Sequence, residues 1–85
     1  MKIVVSARLR EIKAGWSAEA ENLRLAAHGG SPDQAVAALK RRVVTFALAL
    51  GPEQDWVAIW RRAKVRIVNA DGPAEVVIET ESEVI

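Results

Sequence analysis

The chain has no cysteine and no tyrosine, and only one histidine, one methionine and one phenylalanine. The missing thiols remove disulfides, cysteine nucleophiles and thiolate metal sites together, and they set an intracellular, cytoplasmic location as the expectation. Long apolar runs are missing too. The N-terminal patch after Lys2 is cut by Arg8 and Arg10, well short of a signal peptide or a membrane span, so no membrane partner is expected. A net charge of +1 gives no general attraction to nucleic acid. With 85 residues, 51% of them hydrophobic, the expectation is one domain over 1–85 with a single core.

The most ordered signal runs from Gly15 to Leu39. Ser31 is an N-cap candidate, Pro32 suits the first helical position, and Gln34 three residues after Ser31 completes a capping box. From there Val36, Leu39, Val43, Phe46 and Leu50 recur at alternating spacings of three and four, which winds one apolar stripe along a helix until Gly51 and Pro52 stop it. Before it, Lys2 to Arg10 alternates: Ile3, Val5, Ala7 and Leu9 oppose Lys2, Ser6, Arg8 and Arg10, with Val4 as the exception. That is a half-buried strand. Trp16 to His28 is ambivalent, because its Ala, Glu and Leu content favours a helix. Its alternation instead reads as two short strands broken near Asn22, and the strands are the expectation, with a helix as the competing reading.

After Gly51, Pro52 and Glu53 open a short second helix in which Trp56, Ile59, Trp60 and Ala63 share a face. Trp56 and Trp60 form a bulky ridge, either closing the core or serving as a docking ridge for another chain. Lys64 to Asn69 and Ala74 to Thr80 flank Asp71-Gly72, a strong hairpin dipeptide. In the matching register Val65 faces Ile78, Ile67 faces Val76, Lys64 faces Glu79 and Arg62 faces Glu81. The fold class read from these elements is α+β: a three-stranded antiparallel sheet, a long helix, a short second helix and a C-terminal β-hairpin.

Charge is unevenly placed. Lys40, Arg41, Arg42, Lys64 and Arg66 are the candidates for contact with nucleic acid, and Glu79, Glu81 and Glu83 line the tail strand, where they either meet a basic partner or keep a sheet edge soluble. Ala37, Val44 and Leu48, at spacings of seven and four, run an apolar strip along the helix back and suggest a homo-oligomer contact, with Arg41 interrupting it. Catalytic signals are weak. His28 has no triad context, and Gly29-Gly30 before the helix lacks the Lys-Ser/Thr pair of a phosphate loop, with Pro32 and Asp33 opposing an anion there. Glu19, Glu21 and Asp33 are the only carboxylates suggestive of a metal site, and solvent exposure explains them. No cofactor, metal or catalytic residue is expected.

The segment GWSAEAENLRLAAHGGSPDQAVAALKRRV resembles the HicB-like antitoxin domains, through Gly15, Trp16, Ala18, Glu19, Leu23, Gly30, Ser31, Gln34, Ala35 and Leu39. Where that family carries a Pro-Asp-Leu-Pro-Gly stretch, this chain has Glu21, Asn22, Leu23, Arg24 and Leu25. The resemblance implies a partial RNase-H-like β-β-β-α-β unit without nuclease activity, which masks a small basic toxin ribonuclease by protein–protein binding. Full antitoxins commonly add a DNA-binding domain. The residues after the helices read only as a hairpin, so a solitary HicB-like domain is expected. The alternative is a small nucleic-acid-binding or regulatory protein.

Overall fold

The computed structural model of the protein describes residues 1–50, 56–69 and 75–82. β1 (Lys2–Ile12) is the central strand, and β2 (Gly15–Ala20) and β3 (Leu25–Gly29) follow it as an antiparallel meander. The ambivalent stretch is thus two strands, separated by a 3-10 turn at Glu21–Leu23 and by Arg24 at φ 55. Alternation outweighs helical propensity here because Ala18, Ala20 and Ala27 are all buried on one face, where small side chains let a helix sit close. Gly15 and Gly29 are paired into this arrangement: a Cβ at Gly15, whose φ is 142, would run into the Gly29 carbonyl, and one at Gly29 would lie 2.5 Å from the backbone nitrogen of Ala35.

α1 (Pro32–Leu50) begins where the capping chemistry puts it. The backbone N–H of Gln34 donates to Ser31 Oγ at 3.2 Å, and the N–H of Gly30 donates to Gln34 Oε1 at 2.9 Å. Two orphan donors at the helix entrance are satisfied in this way. Leu39 and Val43 are fully buried, Val36 and Phe46 half-buried, and Ala35 and Ala47 widen the stripe. α2 (Trp56–Arg62) ends in a Schellman turn: Val65 N–H donates to the Trp60 carbonyl at 2.8 Å, Lys64 N–H donates to that of Arg61 at 3.0 Å, and Lys64 takes φ 59. Trp60 and Val65, 1% and 6% exposed, enter the core together as that motif's apolar pair.

The α+β layout holds, but the last two strands do not form the expected hairpin. β4 (Arg66–Asn69) pairs antiparallel with β1 through Lys2, Ile3 and Val4, while β5 (Glu75–Ser82) pairs parallel with β1 from Lys2↔Glu75 to Leu9↔Ser82. β1 therefore lies between the two arms, and Val65 does not face Ile78. The cause is the length of β1: β2 uses only Arg8–Ile12 of one edge, leaving room beyond it for β4 and the whole second edge for β5. Val76 and Ile78 still lie on the apolar face, now opposite Ile3 and Val5. Asp71-Gly72, Pro52 and Glu53 lie outside the described residues. Both helices cover one face of the sheet, and no helix among the described residues is long and apolar enough to cross a membrane.

Candidate interaction surface

Of the two readings of the tryptophan ridge, Trp60 takes the core one. It is 1% exposed, with ring centroids 6.0 Å from Phe46 and 6.2 Å from Trp56 in tilted, edge-on contacts. A short amphipathic helix on a small sheet has only one apolar face, and the core takes it. Its indole Nε1–H is buried with no acceptor among the described residues. Trp56, one turn earlier, is half-buried and reaches the surface.

The strip on the back of α1 is where the helical spacing puts it. Ala37 is exposed, Val44 is 37% exposed and Leu48 74%. Val44 and Leu48 also form one wall of a groove of about 260 Å³, with Lys40 beside them, Trp56 at one end, and Glu75 and Val76 of β5 opposite. The groove shares Ala47, Trp56, Glu75 and Val76 with a smaller cavity of about 40 Å³ that reaches Trp60 and Ile3. Sequence periodicity found the helix wall. It missed Glu75 and Val76, because the groove exists only once β5 lies parallel to β1 under the end of the helix.

The basic candidates converge only in part. Lys40, Arg41 and Arg42 are consecutive on α1, so they point about 100° apart around the helix. Lys40 and Arg41 share a depression with Ala37, Val44 and Thr45; Lys40 also borders the groove, and Arg41 a second depression with His28 and Gln34. Lys64 is held in the Schellman turn, its carbonyl accepting from Asn22 Nδ2 at 3.3 Å. Arg66, expected to be unpaired, is bound to Glu79 at 2.9 Å. To reach Glu79 its side chain crosses β1 over Val4, which is only 8% exposed on a face that carries no helix.

Glu79 is thus exposed but engaged, Glu81 stands opposite Arg8 in the β1–β5 register, and Glu83 lies outside the described residues. The carboxylates considered for a metal are drawn into ion pairs: Glu19 with Arg10 at 3.1 Å and Glu21 with Arg8 at 3.3 Å. Arg8, Glu19 and Glu21 line a polar cleft of about 90 Å³ together with Ser6 and Asn22. Asp33 is on the first turn of α1, away from both. Among the described residues no three His, Asp or Glu side chains gather as metal ligands. His28 is exposed at the β3 edge opposite Ser17, itself 2% exposed. Among the described residues the surface therefore offers an apolar groove and a charged strand, and no metal-ligand cluster. No protein-family model, no curated protein and no solved structure matches the chain.

Proposed function

We propose that the chain is a non-enzymatic, cytoplasmic interaction module of the HicB-like kind, which neutralises a small basic toxin ribonuclease by binding it. The observation that carries this reading is the exposed apolar surface of Val44 and Leu48 beside Trp56 and the acidic strand β5. Exposed aliphatic residues grouped in a groove, rather than scattered singly, mark surfaces that another protein covers. The described order, β-β-β-α-α-β-β, contains the β-β-β-α run that the sequence resemblance implies, followed by a second helix and two strands, and to that extent supports the same reading.

The test is co-expression with the small basic product of the adjoining reading frame. Restored growth, a co-purifying complex and loss of RNA cleavage in vitro are the expected results; unchanged cleavage in the presence of excess chain defeats the proposal. A nucleic-acid reading through Lys40, Arg41, Arg42, Lys64 and Arg66 has weaker support, because only Lys40 and Arg41 share a depression and Arg66 is paired. Salt-sensitive binding of RNA or DNA by the purified chain would revive it. Self-association through Ala37, Val44 and Leu48 competes with partner capture, since Val44 and Leu48 serve both surfaces.

A further inference from the structure

β5 is the outermost strand on its side of the sheet. β1 takes one of its edges without a register shift from Glu75 to Ser82, and no described residue pairs with the other edge. Such an edge presents a row of backbone donors and acceptors, and folded proteins usually blunt it with a proline, a bulge, charged side chains or a covering element, of which β5 shows only the charges. The eight residues EVVIETES contain no proline, and the unshifted pairing shows no bulge.

The two faces beside this edge differ in chemistry. On the face without helices, charge changes sign from strand to strand. Glu19 of β2 and Glu21 just after it are bound to Arg10 and Arg8 of β1, and on the other side Lys2 and Arg8 of β1 stand opposite Glu75 and Glu81 of β5. β2 is acidic, β1 basic and β5 acidic, so a further strand continues the series when it is basic. On the helix side, the start of β5 opens on the groove of Val44, Leu48, Trp56 and Val76, which is mainly apolar, with Lys40 and Glu75 at it. A strand laid beside β5 sends alternate side chains to these two faces.

We propose that β5 accepts, by strand addition, an extended segment of another protein in which apolar residues alternate with lysine or arginine. The apolar side chains enter the groove, and the basic ones lie beside Glu75 and Glu79. Backbone pairing supplies affinity, and the two faces supply selection. This assignment rests on the interaction-module reading and adds the surface and the chemistry of the partner. A second copy of the chain is a poorer occupant. β5 against β5 sets acidic rows side by side, and β3, the opposite edge of the sheet, offers Ala26 and His28 on that face, neither of them a lysine or an arginine.

The probe is a fluorescent peptide of alternating valine and lysine, matched to the eight residues of β5, titrated against the full chain at physiological ionic strength. Saturable binding is expected. It should weaken about tenfold when glutamate replaces lysine, and by about as much when the same residues are grouped as a valine block and a lysine block. N-methylation of either the valine or the lysine amides, whichever set faces β5, should abolish it. Leu48→Asp should weaken it about tenfold without lowering the melting temperature, since Leu48 is 74% exposed. Equal binding of the block peptide, or indifference to both methylation patterns, overturns strand addition. A dimer in light scattering that Leu48→Asp dissociates assigns the groove to a second copy and also overturns it. Suppression of the adjoining-frame ribonuclease with no binding of the alternating peptide defeats this inference while leaving the interaction-module reading intact. Peptide binding without suppression supports the surface and removes the toxin.

Discussion

The two outer strands of the sheet meet the helix in opposite ways. At β3 the helix closes tightly on the strand's face: Gly29 leaves no space for a Cβ against the first turn of α1, and Ala27 and Ala35 are buried, 3% and 0% exposed. At β5 the helix stands back, Leu48 is 74% exposed, and the strand is kept in water by Glu75 and Glu79. A strand whose face is closed by fit is committed to folding, whereas one that the helix leaves open and charge keeps in water is available to a partner. Substitutions on the two sides should therefore separate stability from binding.

The largest contrast is between two leucines of the same helix. Leu39, 0% exposed, faces the sheet, and truncating it to alanine should cost ~2–5 kcal/mol through lost burial and the cavity left behind. Leu48→Ala should stay within ~0.5 kcal/mol, as surface changes generally do. Thermal melting measures both; equal losses would mean that the β5 side is as closed as the β3 side. Next comes Gly29→Ala, which puts a methyl 2.5 Å from the Ala35 nitrogen and should cost ~1–3 kcal/mol by overpacking, read from the urea midpoint at unchanged slope. Ser31→Ala removes the cap that accepts from Gln34 and should cost ~1 kcal/mol. Ser31→Asp should keep most of that stability, because aspartate caps as well as serine.

What the sequence revealed and what it hid divide along the same line. β1, the break near Asn22, the Ser31 cap and the strip of Val44 and Leu48 were legible because each rests on neighbours a few residues apart. The neighbour of β5 was not. A hairpin register set Lys64 against Glu79 and apolar residues against apolar, and the observed sheet meets the same requirements through Arg66 and β1. Pairwise rules cannot choose between two solutions that satisfy them equally; the length of β1 chooses, by offering both of its edges. The role of Trp60 stayed open for a related reason: the spacing of Trp56 and Trp60 gives a ridge that either closes the core or docks, and only the packed sheet determines that the second tryptophan points inward.

The smallest expected effect tests whether the charges of β5 belong to folding at all. Arg66 and Glu79 make an ion pair at 2.9 Å, yet their side chains are 66% and 57% exposed, so water and salt screen most of the attraction. A double-mutant cycle of Arg66→Gln and Glu79→Gln should give a coupling of only ~0.2–1 kcal/mol, shrinking as salt is added. Glu79→Gln should at the same time weaken a basic strand partner, because it removes one of the charges that the partner meets. A coupling well above that range, insensitive to salt, would make the acidic row a folding device like the glycine at the other edge. The contrast between the edges would then disappear, and with it the reason for reading β5 as a docking strand.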